Sequence, residues 1–297
     1  MSVLLFFIDG LGIGARGPDN PFDGLEAAAP LAVFEDQEYE PIFDGRLAPT
    51  DACLGVEGRP QSASGQTTIL TGVNAPALLG YHKQGFPNEA LREILAEHSI
   101  FRQLRRAGVG PNTFANAYTS SFFSNRPRRI SATTVAVEAG GLRFRTLEDL
   151  RAGKAVFQDF TNGMLITRGE NLSPCTPEEA GRTLARIAQE HSFTLYEYFI
   201  TDKLGHAQDM DSARMVLSNL ARFVRTLLSR LDLERSTVIL TSDHGNIEDL
   251  STRNHTLNPV PTLVWGVQHE RIARSVRTLA DITPAIVRLL AEKEDAS

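Results

Sequence analysis

Three short apolar runs in this chain are each followed within two residues by an aspartate, and that pattern restricts the fold more than any other feature. Val3–Ile8 leads to Asp9, Leu195–Ile200 to Asp202, and Thr237–Thr241 to Asp243. These runs, like Thr262–Trp265, are continuous and rich in β-branched or aromatic residues, as expected of strands buried on both faces. Helical patterns separate most of them. Between Arg214 and Leu231, apolar residues recur at Val216, Leu220, Phe223, Val224, Leu227 and Leu231, a helix stripe. Thr176-Pro177-Glu178-Glu179 combines a capping threonine, a first-turn proline and a capping-box glutamate, ahead of a core face at Ala180, Leu184, Ile187 and Ala188. Asn88–Glu97, Ser99–Ala107 and a segment opening at Thr283-Pro284 read as further helices, the second of them stopped by Gly108. Buried strands alternating with helices predict an α/β fold, a mostly parallel sheet with helices on both faces. One domain over 1–297 is expected. Gly10–Gln66 reads as long loops over a site. A small cap is expected at about 112–173, where the β-like pieces Thr133–Val137 and Leu142–Phe144 accompany an arginine cluster.

Composition excludes several function classes. The 297 residues carry 30 Lys+Arg against 36 Asp+Glu, a net charge of −6, with 42% hydrophobic residues, so a disordered chain is ruled out. A sequence pI near 5.7 leaves no basic excess for displacing counterions from nucleic acid. Asp9 ends the opening apolar run well short of a membrane span or a secretory signal, so a cytoplasmic protein without membrane contact is expected. Cys53 and Cys175 are too few for a disulfide framework or a thiolate zinc site. Oligomeric state is not legible.

In open parallel sheets, ligands bind outside the carboxyl ends of the strands. Three aspartates converging there repel one another unless a cation neutralises them. Histidines accompany two of them: His206 lies four positions after Asp202, one helical turn away, and His244 follows Asp243 directly. His255 sits in the proline-held loop Asn254–Pro261, whereas His82, His98, His191 and His269 have no such neighbours. Asp and His ligands without thiolates suit zinc or manganese. Gln61-Ser62-Ala63-Ser64-Gly65-Gln66-Thr67-Thr68 places small hydroxylic residues where a loop enters a helix, a position that can cradle an anion and present a hydroxyl.

Taken together, Ile8-Asp9-Gly10, the Ser64 segment, Asp202-x-x-x-His206, Ser242-Asp243-His244-Gly245-Asn246 and His255-Thr256-Leu257-Asn258-Pro259 resemble, in the same chain order, the metal-binding motifs of the alkaline phosphatase superfamily. The likeness is strongest to its branch of cofactor-independent phosphoglycerate mutase and phosphopentomutase. The resemblance implies two divalent metal ions, manganese or zinc. One would be held by Asp202, His206 and His255, the other by Asp9, Asp243, His244 and a nucleophile hydroxyl. Ser64 is taken as that nucleophile. Ser62, Thr67 and Thr68 are alternatives, because the mutase serine precedes an acidic residue and a glycine-histidine pair, whereas Gly65-Gln66-Thr67 follows Ser64. The 138 positions from Ser64 to Asp202 leave room for a small cap but not for the mutase's large inserted domain.

The function expected is metal-dependent phosphoryl transfer to water through a phosphoserine, on a small phosphorylated substrate. The alternatives are a phosphomutase on a sugar or glycerate, or a non-catalytic metal-binding relative. Arg126, Arg128, Arg129 and Lys83 are candidates to clamp the substrate phosphate. Gly12-Ile13-Gly14-Ala15-Arg16-Gly17 matches the dinucleotide fingerprint, but Pro18 and Pro21 block the helix that motif requires. A serine-hydrolase elbow is absent because Ser62, not glycine, stands two residues before Ser64.

Overall fold

The computed structural model describes residues 1–36, 38–39 and 41–292. Its strands are β1 (Ser2–Ile8), β2 (Arg46–Thr50), β3 (Asn112–Phe114), β4 (Ala117–Tyr118), β5 (Arg145–Thr146), β6 (Phe193–Tyr198), β7 (Ser236–Ser242) and β8 (Val260–Gly266). Six of them form one sheet in the order β2-β8-β7-β1-β6-β3, while β4 and β5 pair separately. Strands β7, β1, β6 and β3 are parallel, β8 is antiparallel to β7, and β2 is antiparallel to β8. The predicted α/β architecture is therefore present, with β8 as the reversed strand.

Register places the site. Ile8 is level with Tyr198 on one side and Ser242 on the other, so Asp9, Asp202 and Asp243 all follow strands at one edge of the sheet. Because β8 reverses direction, it begins at that same edge, and the 243–259 connection stays above it. Side chains alternate across the sheet with the two-residue strand period. Leu4, Phe6 and Ile8 of β1 join one buried cluster with helices Pro177–Gln189 and Met210–Arg230. Val3, Leu5 and Phe7 join a second cluster with helices Ser62–Thr71, Ile100–Arg106 and Ile282–Ala291. Both faces are covered, which is why the β1 run is apolar throughout.

The Thr176–Glu179 capping box forms as the sequence implies. Three expectations need correction. Thr133–Val137 lies in the helix Ala132–Gly140, where Ser131 accepts a hydrogen bond from the Thr134 N–H as its cap. Burial against neighbouring helices overrides the β preference of its branched residues. Leu142–Phe144 forms no strand. The Gly10–Gln66 stretch is not all loop, since it holds β2 and the first turn of helix Ser62–Thr71. Within 112–173, β3 belongs to the main sheet and Ala132–Gly140 to the core. The β4–β5 pair, with helix Leu147–Arg151, carries a small cluster of its own around Ala117, Leu147, Phe157 and Leu165. No helix opens at Gly17; the next helical turn is Glu26–Ala28. Among the described residues, no helix is long and apolar enough to cross a membrane.

Phe6 is fully buried, with its ring centroid 5.0 Å from Tyr196 and 5.4 Å from Phe223 in edge-on contacts. Phe6→Ala is expected to cost about 3–5 kcal/mol in urea unfolding. A loss below about 1.5 kcal/mol would show that the central strand is not packed as described.

Candidate metal centre

Each strand end delivers one carboxylate. Asp9 directly follows β1, Asp243 directly follows β7, and Asp202 lies in the first turn of helix Ile200–Ala207 after β6. Gly10 allows the chain to turn between them. Its φ is +73°, and a Cβ there would stand 2.9 Å from Asp202 Cα. The Gly10 N–H donates to Asp243 Oδ1 at 3.3 Å.

The histidines share one arrangement. His206 Nδ1 is 2.6 Å from the Arg253 carbonyl, His255 Nδ1 is 2.8 Å from the Pro60 carbonyl, and His244 Nδ1 is 3.3 Å from the Gly245 carbonyl. A carbonyl only accepts, so each Nδ1 carries the proton and each Nε2 turns into the cluster. His206 Nε2 and His255 Nε2 lie 3.2 Å apart and 3.4 Å and 3.5 Å from Asp202 Oδ1. His244 Nε2 lies 3.3 Å from Asp9 Oδ1 and 3.6 Å from Asp243 Oδ2. The His244 and His255 rings stack at 3.6 Å between centroids, joining the two groups.

With both Nδ1 atoms turned to carbonyls, the facing Nε2 atoms of His206 and His255 present lone pairs to the cluster and not to each other's protons. Asp9 Oδ1, although buried, accepts no hydrogen bond. Donor atoms of Asp9, Asp243 and His244, and of Asp202, His244 and His255, lie within 4.8 Å of one another. Oriented imidazoles, unshared lone pairs and an orphaned carboxylate oxygen fit divalent cations, with the backbone carbonyls as outer supports.

The electrostatics agree. Burial, then the charge of Asp243, pushes the Asp9 carboxyl up, and burial together with Asp202 pushes Asp243 up. Burial opposes a charge on His244, but Asp243 and Asp9 outweigh it and raise its pKa to about 10. Asp202 is also penalised by burial, yet the neighbouring His255 imidazole and the charge of His244 bring it down to about 2. Protons on His244 and the paired carboxylates thus do the neutralising that cations would do.

The hydroxyls separate clearly. Ser62, the first residue of its helix, places Oγ 3.0 Å from His244 Nε2. Ser64 is fully buried, donates to the Gln61 carbonyl at 3.2 Å and accepts from the Lys83 N–H at 3.0 Å, so it faces away from the cluster. Thr67 and Thr68 donate to the carbonyls of Ala63 and Ser64 within the helix. The structure brings Ser62, not Ser64, to the carboxylates.

A cavity of about 440 Å³ opens beside Asp9, Ser62, Gln66 and Asp202, and its cations are Arg168 and Lys203. The four basic residues singled out from sequence line no part of it. Arg126 is exposed and pairs with Glu138 at 2.6 Å, Arg128 and Arg129 are exposed, and Lys83 Nζ donates to the Gln84 carbonyl. The run's charges face solvent because its backbone lies on the outer side of the segment.

Three residues escaped the sequence reading. Gln66 Nε2 donates to Asp9 Oδ2 and Asp243 Oδ2, at 3.1 Å each. Its signal was its place four residues after Ser62, on the same helix face. Glu248 accepts from the N–H groups of Gly12 and Asn246, the Thr256 hydroxyl and the Asn258 amide, tying three loop segments together. A Cβ on Gly245 would collide with this carboxylate. Glu197, in β6, lines the cavity with a carboxyl pushed up to about 8 by burial and then by Asp9. Its strand position gave no sign of this.

Because the folded protein holds a proton on His244 at neutral pH, a metal must displace it. Metal binding at pH 7 is expected to release at least one proton, and apparent affinity to rise with pH below about 10. Calorimetry in buffers of different ionisation heat checks this. Affinity independent of pH, with no proton released, would place the metal elsewhere.

Comparison with known proteins supports the motifs. Residues 173–294 match the Metalloenzyme superfamily model. The chain is 22% identical to the phosphopentomutase of Alkaliphilus metalliredigens (strain QYMF), over 87% of this chain and 66% of that protein. It is 26% identical to the 2,3-bisphosphoglycerate-independent phosphoglycerate mutase of Paracoccus denitrificans (strain Pd 1222), over 71% of this chain and 48% of the mutase. It therefore spans less than two thirds of the length of these curated relatives. Among solved structures, PH0037 from Pyrococcus horikoshii aligns with a TM-score of 0.55 at 13% identity, covering 98% of this chain and 97% of that one. Alkaline phosphatase from the Antarctic bacterium TAB5 aligns at 0.51 and 13%, covering 98% of each. At such identity these two establish the fold alone. By its motifs, its metalloenzyme match and its fold, this chain resembles the alkaline phosphatase superfamily, and by sequence its phosphopentomutase and phosphoglycerate mutase branch.

Proposed function

We propose that this chain is a metal-dependent phosphoryl-transfer enzyme that hydrolyses phosphate monoesters, with Ser62 in place of Ser64 as the attacking hydroxyl. The observation that carries the reading is Ser62 Oγ at 3.0 Å from His244 Nε2, on the floor of a cavity shared with Asp9 and Asp202. Divalent ions held by Asp9, Asp243 and His244 and by Asp202, His206 and His255 would supply the positive charge that eases loss of the Ser62 proton and neutralises the phosphate. Ser62 Oγ gives up its proton to solvent as it attacks phosphorus, the new Oγ–P bond forms, and the bond to the ester oxygen breaks. The alcohol leaves with a proton from solvent, and water then cleaves the phosphoserine to inorganic phosphate. The amino-terminal end of helix Ser62–Thr71 favours the anion carried there. Gln66 keeps Asp9 and Asp243 in place through its two N–H groups. Arg168 and Lys203, as the cations of the cavity, would meet the substrate's negative charge.

The similarity to a phosphopentomutase over 87% of the chain favours a second reading, return of the phosphoryl group to another substrate hydroxyl. Product analysis separates the two, since only hydrolysis liberates inorganic phosphate. A non-catalytic relative is disfavoured by the complete ligand set.

With manganese or zinc restored to metal-stripped protein, Ser62→Ala should lower phosphate release by on the order of 10³-fold or more while keeping both metals. Ser64→Ala should stay within about threefold of wild type, losing only about 1 kcal/mol of stability with its hydrogen bonds. The opposite ranking would return the nucleophile to Ser64. Asp243→Asn and His255→Ala should each remove activity and one metal equivalent; full activity with both metals retained would sink the assignment.

A further inference from the structure

The walls of the cavity beside the metal centre do not suit a polyhydroxylated substrate. Phe86, Phe114, Tyr118, Phe122, Phe157 and Phe199 line it, and Phe86 is 43% exposed at its rim. Most polar groups in the same walls already have partners inside the protein. The Tyr118 hydroxyl is shared with Thr134 at 2.8 Å, and Thr134 also meets the Ser131 hydroxyl at 3.0 Å. Both ends of the Asn116 amide are bound to the Glu197 backbone, at 2.7 Å and 2.9 Å. Thr119 meets Ser121 at 2.8 Å. Apart from Gln158 and the charged Arg168, Glu197 and Lys203, few side-chain donors or acceptors in these walls remain to read sugar hydroxyls, whereas Phe86, Phe122 and Phe199 offer aromatic surface. Lys203 Nζ sits 4.6 Å from the centre of the Phe199 ring, which places a cation against an aromatic wall. Phe122 also packs against Tyr118 at 4.5 Å, which holds its ring in place at the cavity wall, and fixed aromatic side chains beside a reactive centre are a usual means of holding planar ligands by stacking.

Resting on the phosphoryl-transfer reading above, we infer that the preferred substrates are phosphate monoesters whose alcohol carries a planar aromatic ring, held against the aromatic wall that includes Phe86, Phe122 and Phe199. The ring is either a nucleobase or a simple aryl group, the two sources of the same stacking chemistry. The bonds made and broken are those given above, with the ring-bearing alcohol as leaving group.

Adenosine 5′-monophosphate, benzyl phosphate and ribose 5-phosphate test this, because all three are esters of primary alcohols and only the first two carry a ring. Their binding to the metal-loaded Ser62→Ala variant is measured by calorimetry, so that affinity is read without turnover. At least one ring ester is expected to bind about tenfold or more tighter than ribose 5-phosphate. Tight binding of adenosine monophosphate alone assigns a nucleobase, and of benzyl phosphate alone a single aryl ring. Phe122→Ala, in the same background, should bring the preference below about threefold. Equal affinities, or tighter binding of ribose 5-phosphate, overturn the inference, as does a preference unchanged in both Phe122→Ala and Phe86→Ala. Absence of phosphate release from wild-type protein with every ester and metal would instead overturn the hydrolytic reading, and the binding ratios would still decide the ring preference.

Discussion

Negative charge at one edge of the sheet is the constraint on which the rest of this molecule depends. Asp9, Asp202 and Asp243 are brought together by adjacent strand ends, and their only charged partners among the described ion pairs are histidines. Among the described residues, no arginine or lysine forms an ion pair with them. A protein pays a high free-energy cost for buried carboxylates left without compensation. These carboxylates therefore need protons or cations to compensate them, and the imidazoles beside them are held by backbone carbonyls. Glu248 extends this economy outward. It is buried and fully hydrogen-bonded, and it clamps the Gly12 segment to the 246–258 connection, so that the turn after β1 and the histidine-bearing loop keep one relative position.

The helix Ser62–Thr71 brings a hydroxyl to that edge by rotation alone. Successive residues of a helix advance about 100°, so Ser64 points about 200° away from Ser62, while Gln66 returns to within about 40° of it. Ser62 and Gln66 consequently face the carboxylates together, and Ser64 faces the chain around Lys83. A two-residue step along this helix thus exchanges a hydroxyl beside His244 for one that bonds only backbone.

Specificity is separated from this machinery in the same way. The ligand set comes from the sheet edge and the loop before β8, whereas the cavity walls come largely from the 114–168 stretch and the residues after β6. That stretch is partly core, through β3 and helix Ala132–Gly140, so the walls are anchored to the sheet and do not form a detached lid.

The strands, the main helices and the cluster of candidate metal ligands were legible because each is written in local chemistry: buried runs, capping boxes, and aspartates with histidines one turn away or adjacent. That information lies within a few residues and survives without knowledge of the fold. The hydroxyl, the cavity's cations and its aromatic walls were not legible. Ser62 and Ser64, or Arg128 and Arg168, differ in whether they reach the cavity only by the direction in which the backbone presents them. Helix Ala132–Gly140 was misread for a related reason, since burial against other helices outweighed its own β-branched residues. The sequence by itself determined that this chain builds an α/β sheet and collects carboxylates and imidazoles at one edge. Only the tertiary structure decided which side chains face that edge, because direction depends on packing between segments far apart in the chain.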